Sequence, residues 1–388
     1  MKHFSHLNTA TDIINLYKGN PPFHLFIRDF FKQDKKYGSK DRRQITHLCY
    51  CYFRLGLTLQ NLPVQERILI GLFLCSGQYN ELLSAIQPVW NENVALLVEE
   101  KYALLKLPND AANIFPFESE LSEGINKNDF SIAHLVQPDL FIRERPGFHE
   151  TVTGKLEKAA VAFSSPYPGC IRLANTTKVD ELLAVNKEVV IQDYSSQRTG
   201  AFMQLAGHTN PLPKTWDCCA ASGGKSIMAK DRLGAIDLTV SDIRSSVLAN
   251  LEKRFAAAGI KKYKLLKADL ASPATKNLPD QLGLIIADVP CTGSGTWGRS
   301  PERLSFFDKK EIDKFSQLQK KIITATLPRL QTGGYFLYIT CSVFKKENEE
   351  VVTYIQQNYP VELIKMEVLE GYTLKADTMF AALLRKRL

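Results

Sequence analysis

The second half of the sequence predicts an α/β fold built on a mostly parallel, doubly wound sheet. From about residue 200, short apolar segments alternate with helix-length amphipathic segments, which is the pattern of successive strand–helix units. Two of the segments, YKLLKA (263–268) and LGLIIADVP (282–290), are apolar along most of their length, as strands buried on both faces are. A glycine-rich turn, CAASGGK (219–225), joins a predicted strand to a predicted helix. In folds of this class, a turn at the carboxyl end of a strand predicts a ligand site.

The remaining elements of this half follow from local patterns. A helix is predicted where Val247, Leu251, Phe255 and Ala258 recur on one face. A long helix is predicted for about residues 308–330. The other predicted elements are the strands KTWDCC (214–219), AIDLTVSD (235–242) and GGYFLYITC (333–341) and the helix GKSIMAKDRLG (224–234).

Two further regions precede this half. The first is predicted to be helical, with an amphipathic face around residues 45–55, a buried helix at 68–75 and a third helix at 94–105. The second is a small mixed α/β region, with the predicted strands DLFIRER (139–145), GCIRLANT (169–176) and EVVIQDY (188–194) and the helix HETVTGKLEKAAVAF (149–163). We therefore expect three parts, 1–135, 136–200 and 201–388.

Composition narrows the class of protein. A chain of 388 residues suits two or three domains, and its net charge of +8 favours a polyanionic partner such as nucleic acid. The eight cysteines are irregularly spaced and form no CxxC pair, which argues against a disulfide scaffold and against a metal site. No apolar run approaches the roughly 20 residues that span a bilayer, and the start lacks the pattern of a secretory signal. We expect a cytoplasmic protein with no membrane partner.

The end of the glycine-rich turn resembles a phosphate-binding P-loop, which has the pattern G-x-x-x-x-G-K-[ST]. Cys219 stands where the first glycine of that pattern should be. Asp242 closes the next strand, 17 residues after Lys225, and an acid at about this distance is placed to bind a ribose hydroxyl. Asp269 and Asp288 follow the next two strands. The series favours an adenosyl cofactor with a free ribose over a triphosphate, although each aspartate taken singly could be a helix cap.

Two cysteines also follow predicted buried strands. Cys291 lies in ADVPCTGSGTWGRSPE and Cys341 in YITCSVFKKENEE. Each alone could be a structural thiol, but both should lie at the same sheet edge as the cofactor turn. That arrangement suits methylation of a pyrimidine at carbon 5, because a thiolate that adds to carbon 6 makes carbon 5 nucleophilic. Spacing does not decide which cysteine attacks.

Three neighbouring groups have hypothetical roles in this chemistry. Asp288 could hydrogen-bond the polar edge of cytosine or stabilise its protonated ring nitrogen. Lys225 or Arg299 could promote ionisation of a thiol. Trp297 could stack on an unstacked base, or could equally anchor its loop in a core.

The same segments resemble those of the Sun/RsmB-type (Fmu) RNA cytosine-5 methyltransferases. That family has CAAPGGK, DAPCSGxG followed by R-x-P, and STCS followed by ENE. This sequence has CAASGGK, DVPCTGSG with Arg299 and Pro301, and ITCSVFKKENE. LANTTK (173–178), QDYSSQ (192–197) and ADTMFAALLRK (376–386) are similar to the family's RVNT, QDxASQ and DGFFxAxLxR segments. The resemblance covers about residues 137–388.

The resemblance implies a Rossmann-like class I methyltransferase domain that binds S-adenosyl-L-methionine. It implies that Cys341 is the nucleophile and that Cys291 assists release of the methylated base. It also implies a NusB-like RNA-binding domain at the amino terminus and small-subunit ribosomal RNA as the partner. We expect the protein to be a monomer. The implied cofactor-binding residues are Cys219, Ala220, Ala221, Ser222, Gly223, Gly224, Lys225, Asp242, Asp269 and Asp288.

One position departs from the family's pattern. Ser222 replaces a proline, so the turn loses a residue with a fixed φ and is expected to be looser. No catalytic group is lost, and we expect activity to survive. Two alternative functions are a catalytically silent RNA-binding or ribosome-assembly factor on the same fold, and methylation of DNA or protein.

Overall fold

The computed structural model describes residues 2–34, 36–107, 114–206 and 214–387. Its helices are α1 (Lys2–Leu16), α2 (Phe23–Gln33), α3 (Ser39–Arg54), α4 (Val64–Cys75), α5 (Glu81–Ile86), α6 (Pro88–Glu92), α7 (Val98–Leu104), α8 (Lys127–Ala133), α9 (His149–Lys158), α10 (Val179–Leu182), α11 (Tyr194–Ala206), α12 (Gly224–Leu233), α13 (Ser245–Ala257), α14 (Glu302–Ser305), α15 (Lys310–Thr326) and α16 (Glu349–Asn358). Its strands are β1 (Leu140–Glu144), β2 (Phe163–Tyr167), β3 (Cys170–Leu173), β4 (Val189–Ile191), β5 (Lys214–Asp217), β6 (Asp237–Asp242), β7 (Lys264–Lys267), β8 (Leu282–Asp288), β9 (Leu330–Thr340), β10 (Val361–Leu369) and β11 (Met379–Lys386).

The chain forms two compact units. Unit 1 comprises residues 1–119, 126–137 and 296–308, and unit 2 comprises 120–125, 138–295 and 309–388. Unit 2 thus includes both the predicted mixed region and the predicted sheet. Among the described residues, no helix is both long and apolar enough to cross a membrane.

Unit 1 is helical where the sequence predicts helices. Ile45, Leu48 and Leu55 are fully buried, and α4 is buried nearly all round at residues 68–74. The third helix is shorter than predicted, because α7 begins only at Val98, where the Glu100 side chain accepts a hydrogen bond from the Leu97 N–H and so starts the helix.

Unit 2 contains two sheets. The smaller sheet is antiparallel with strand order β2-β3-β1-β4. The larger has the order β10-β11-β9-β8-β5-β6-β7, and its five strands from β9 to β7 are parallel. β10 and β11 extend it in antiparallel fashion. The predicted mostly parallel, doubly wound sheet is confirmed; β10 is an additional strand that the sequence analysis did not identify.

Alternate residues of the parallel strands pack on opposite faces of the large sheet. Ile286 and Leu337 join the core formed with α11, α12 and α13. Ile285 and Phe336 join the core formed with α15 and α16. Because both faces are covered, the polar residues that follow the strands are confined to the sheet's ends.

Candidate functional site

The predicted site residues follow parallel strands that end at one edge of the large sheet. Asp217, Asp242 and Asp288 are the last residues of β5, β6 and β8, and Cys341 follows the last residue of β9. The pairing of β5 with both β6 and β8 brings the three carboxyl ends side by side. Asp269 lies two residues after β7, at the outer end of the same row.

The glycine-rich segment forms a tight turn before α12. The Ala220 N–H donates to the Ser241 carbonyl at 2.8 Å, and the Gly223 N–H donates to the Ala220 carbonyl at 2.8 Å. Gly223 has φ = +84°, and a Cβ there would lie 2.7 Å from the Phe255 ring, so both the conformation and the space require glycine. Ala221 also has a positive φ, +46°, which costs about 1–2 kcal/mol for a residue with a Cβ.

Asp242 holds this turn from the β6 side. One carboxylate oxygen accepts from the Ala221 N–H at 3.1 Å and from Arg244 Nη2 at 3.2 Å. The other accepts from the Arg244 N–H at 3.0 Å and from its Nε at 3.1 Å. Burial alone would raise the pKa of Asp242, but the hydrogen bonds from Arg244 and Ala221 outweigh it and lower the pKa. The Arg244 side chain is 60% exposed, so a ribose could take its place on the carboxylate.

Asp269 is exposed, and its carboxylate accepts from the Ala271 N–H at 3.0 Å. This contact stabilises the turn that follows β7; a turn rather than a helix begins here, so Asp269 is not the helix cap that was the alternative. Beside Asp242, Ile243 is a large apolar residue that is 53% exposed. Its exposed side chain could contact an apolar ring. The sequence does not indicate this exposure, because Ile243 looks there like a continuation of the buried strand.

Asp217 is a buried acid that the sequence analysis missed. It is fully buried, and its Oδ2 accepts from the Ser226 hydroxyl at 2.6 Å, while its Oδ1 has no hydrogen-bond partner among the described residues. Burial raises the pKa of Asp217 to about 7, against the effect of the Ser226 hydrogen bond. Asp217 could have been identified from the sequence, because it is an acidic residue at the end of a predicted strand, directly before the glycine-rich turn.

The Lys225 ammonium binds an acid at the neighbouring strand end. The group donates to Asp288 Oδ2 at 2.9 Å and to the Ser196 hydroxyl at 2.9 Å. The described hydrogen bonds of Lys225 thus go to Asp288 and Ser196, and a role for Lys225 in ionising a thiol stays a prediction. Asp288 keeps Oδ1 free of described partners, and its side chain is 30% exposed.

Cys291 and Cys341 lie together, each partly exposed. Their Sγ atoms are 3.3 Å apart, within hydrogen-bond distance. The hydrogen bond with Cys341, together with burial and the nearby Glu347 carboxylate, raises the pKa of Cys291 well above its ordinary value. The Cys291 thiol is therefore harder to ionise than an ordinary cysteine.

Glu347 joins the two cysteine-bearing loops. Oε1 accepts from the Thr292 N–H at 2.9 Å, and Oε2 accepts from the Thr292 hydroxyl at 2.6 Å and from the Ser342 hydroxyl at 2.5 Å. Gln319 Nε2 donates to Oε1 at 3.1 Å. Burial raises the pKa of Glu347 although these hydrogen bonds oppose it. Glu347 belongs to the ENE segment, but nothing in the sequence indicates which groups its carboxylate contacts.

The tryptophan after Cys291 has a structural role. Residues 296–308 belong to unit 1, where Trp297 is 1% exposed and packs against Phe307 with ring centroids 4.8 Å apart. Stacking of Trp297 on a base is therefore ruled out in this arrangement, and the loop-anchoring alternative is correct. Arg299 and Pro301 also lie in unit 1.

A metal-binding cluster is not found in the described parts of the chain: no group of three or more His, Cys, Asp or Glu side chains could hold an ion. The residues present fit an adenosyl cofactor instead. The glycine turn leaves its backbone accessible at the amino terminus of α12, and Asp242 and Ile243 offer a carboxylate and an apolar surface at the next strand end.

Comparison with known proteins agrees with this geometry. Residues 202–385 match the sequence profile of the family described as "16S rRNA methyltransferase RsmB/F". A ribosomal RNA small subunit methyltransferase B of Salmonella paratyphi B is 29% identical over 231 residues, which cover 58% of this chain and 53% of that protein. The chain thus spans about half the length of the curated relatives that it matches.

Solved structures share the fold. The crystal structure of PH0851 aligns with a TM-score of 0.69 over 98% of both chains at 18% identity. NSun6 from Pyrococcus horikoshii, solved with SFG, aligns with a TM-score of 0.55 over 64% of this chain and 91% of that one at 18% identity. Residues 202–385, just under half of the chain, are therefore similar to the RsmB/F family of methyltransferases.

Proposed function

We propose that this protein is an S-adenosyl-L-methionine-dependent RNA methyltransferase that modifies carbon 5 of a cytosine in 16S ribosomal RNA. The main support is the pair of sulfurs, 3.3 Å apart, at the sheet edge that also carries the glycine-rich turn. The similarity of residues 202–385 to the RsmB/F family supports the reaction class and the ribosomal RNA substrate.

The turn at Cys219–Lys225 and the acids Asp242, Asp269 and Asp288 are the residues proposed to hold S-adenosylmethionine. When bound, this cofactor supplies an electrophilic methyl group. The NSun6 structure from Pyrococcus horikoshii was solved with SFG, an analogue of that cofactor, which supports S-adenosylmethionine as the cofactor proposed here. Asp242 would accept from the ribose once Arg244 has moved aside, and backbone N–H groups at the start of α12 would face the polar end of the ligand.

Cys341 is the proposed nucleophile. Its Sγ lies 3.3 Å from Cys291 Sγ, so the Cys291 S–H can donate a hydrogen bond to the attacking sulfur. Addition of the Cys341 sulfur to carbon 6 breaks the ring double bond and moves its electron pair to carbon 5. Carbon 5 then accepts the methyl group, and loss of its proton re-forms the double bond as the carbon–sulfur bond breaks.

Cys291 is proposed to assist that last step, because it lies in contact with the sulfur that must leave. Asp288 is proposed to orient the base. Its free Oδ1 can accept from the cytosine amino group, while Lys225 holds Oδ2 at 2.9 Å. The base must be unstacked to reach these groups, because carbon 6 is inaccessible within a helix.

Further parts of the proposal rest on the sequence resemblance. Residues 1–135 would act as a NusB-like RNA-binding domain, 136–200 as a small region preceding the methyltransferase domain, and 201–388 as that domain. The net charge of +8 suits an RNA partner. We propose a monomer acting in the cytoplasm.

The experiment is transfer of labelled methyl groups to unmodified 16S ribosomal RNA, with bisulfite sequencing to identify the modified carbon and nucleotide. Cys341→Ala should abolish transfer. Cys291→Ala should accumulate a protein–RNA adduct that survives a denaturing gel, because addition proceeds and release does not. Cys75→Ala, in unit 1, is the control and should retain activity.

Full activity of Cys341→Ala would disprove the assignment of the nucleophile. Absence of cofactor binding in calorimetry, with RNA binding intact, would instead favour a catalytically silent RNA-binding factor. Equal transfer to matched DNA and RNA oligonucleotides would exclude selectivity for RNA.

A further inference from the structure

The cofactor turn has to be held in a conformation that its own residues do not favour. Ala221 has a φ of +46°, which residues with a Cβ adopt rarely. Ser222, the next residue, does not share the positive φ, and the related CAAPGGK segment has at this position a proline, whose ring fixes φ near −65°. Because this chain lacks that ring, the surrounding structure must supply the constraint.

Arg254 on α13 constrains the turn through hydrogen bonds to Ser222. Its Nη1 donates to the Ser222 carbonyl at 3.0 Å and to the Ser222 hydroxyl at 2.6 Å. The hydroxyl is an acceptor that proline does not have. Asp242 holds the turn from the other side through the Ala221 N–H, so the two contacts together fix the strained residue and its neighbour.

Arg254 is itself fixed by a residue of the smaller sheet's region. Its Nε donates to Asn186 Oδ1 at 2.9 Å, and Asn186 lies just before β4 with φ = +68°. The Asn186 carbonyl in turn accepts from Arg145 Nη1 at 3.1 Å. Within the described residues, Arg254 directs its side-chain hydrogen bonds to Ser222 and Asn186 and pairs with no carboxylate. The Arg254 guanidinium therefore links the glycine-rich turn to Asn186.

We propose that Arg254 is a positioning residue for the cofactor turn: it replaces, by hydrogen bonds to Ser222, the constraint that proline gives in related sequences. Asn186 holds Arg254 in place for this task. The part of the inference that concerns S-adenosylmethionine rests on the proposed function, whereas the part that concerns the turn does not.

The test uses the full chain and compares wild type with Arg254→Met, Ser222→Pro and the double variant. Amide hydrogen exchange of the peptide that contains residues 218–224 reports on the turn without any ligand. Calorimetry with S-adenosylmethionine reports on affinity. Lys253→Met is the matched control, because Lys253 is the neighbouring residue on the same helix and its side chain is exposed.

Arg254→Met should speed exchange of the turn and weaken S-adenosylmethionine binding, each by about tenfold or more, because both charge-assisted hydrogen bonds to Ser222 are lost. When Ser222→Pro is already present, the same substitution should change both quantities by less than about threefold, because the ring now restricts the turn. Arg254→Lys keeps the charge without the planar fork and should give an intermediate effect.

Unchanged exchange in Arg254→Met would overturn the proposal. An equal effect of Arg254→Met with and without Ser222→Pro would also overturn it, because Arg254 would then act through general stability. If no variant binds S-adenosylmethionine but exchange follows the expected pattern, the role of Arg254 stands and the proposed cofactor is wrong.

Discussion

The sulfur atoms of Cys291 and Cys341 lie 3.3 Å apart although 50 residues separate them in the chain. Parallel pairing of β8 with β9 is the reason, because each cysteine follows one of these neighbouring strands. The contact is the largest cause of the raised pKa of Cys291.

Cys341→Ala should make Cys291 react faster with iodoacetamide at about pH 8, close to the ordinary pKa of a thiol. The largest cause of the raised pKa of Cys291 is its hydrogen bond with Cys341, so removal of that partner lowers the pKa and increases the thiolate fraction. Peptide mass spectrometry over a pH series measures the rate for Cys291 alone. The midpoint of the rate profile should move to lower pH.

Cys341→Ser is the control for this measurement, because a hydroxyl keeps a hydrogen-bonding group beside Cys291. It should change the Cys291 profile less than Cys341→Ala does. Equal profiles for the wild type and Cys341→Ala would mean that the contact does not control Cys291.

Glu347→Gln should lower the rate of methyl transfer by about 10²-fold, the cost of a displacement of about 1 Å in a reacting group. The carboxylate accepts from Thr292 and Ser342, which adjoin the two cysteines, and an amide cannot accept on both of its atoms. Affinity for S-adenosylmethionine should stay unchanged, because these hydrogen bonds hold the cysteine loops rather than the glycine-rich turn. Single-turnover kinetics and calorimetry separate the two quantities.

Glu349→Gln provides a matched control for Glu347→Gln. Glu349 lies in the same ENE segment, but its carboxylate accepts from Ser122 and from the Glu123 N–H rather than from Thr292 and Ser342. It should retain most of the transfer rate. Similar losses in the two variants would show that the segment acts only through stability.

The sequence predicted the sheet and the row of site residues because both depend on local patterns. An apolar run that ends in a polar residue, as at Asp288, identifies a strand and its functional end without any knowledge of neighbours. Parallel connection then places successive strand ends at one edge.

The partners within the site depend instead on the order of strands in space. β8 lies beside β5, so Asp288 reaches Lys225, whereas the next strand after β5 in the chain is β6. Local sequence patterns also do not show which polar or aromatic side chains are buried. Trp297 is buried in unit 1, and Asp217 is buried although it directly precedes the glycine-rich turn.

Asp217→Asn should change how stability depends on pH. The pKa of Asp217 is raised from 3.8 to about 7 in the folded protein, so the folded state binds a proton that the unfolded state has lost. Wild-type stability relative to the variant is therefore greatest below about pH 4 and falls as pH rises to about 7, by at most about 4 kcal/mol. Urea unfolding at intervals across this pH range measures the difference.

Asp269→Asn serves as the control for that series, because its carboxylate is exposed. A difference between wild type and Asp217→Asn that is constant across the series would contradict a raised pKa for Asp217.

Gly295→Ala should destabilise the protein more than any other small-residue exchange near the cysteines. A Cβ at Gly295 would lie 1.9 Å from the Thr378 carbonyl oxygen and 3.1 Å from that of Cys341, and backbone atoms cannot move aside without breaking the Gly295–Cys341 hydrogen bond. We expect the free energy of unfolding to fall by about 3 kcal/mol or more, by analogy with overpacked cores, measured by urea unfolding.

Gly154→Ala is the matched control. Gly154 lies within α9, with nothing within 4 Å of the new Cβ, so this substitution should raise the free energy of unfolding by about 0.5–1 kcal/mol. A Gly295→Ala variant as stable as the wild type would show that the loop after Cys291 does not pack against Thr378, and the 3.3 Å approach of the two sulfurs would then lack its support.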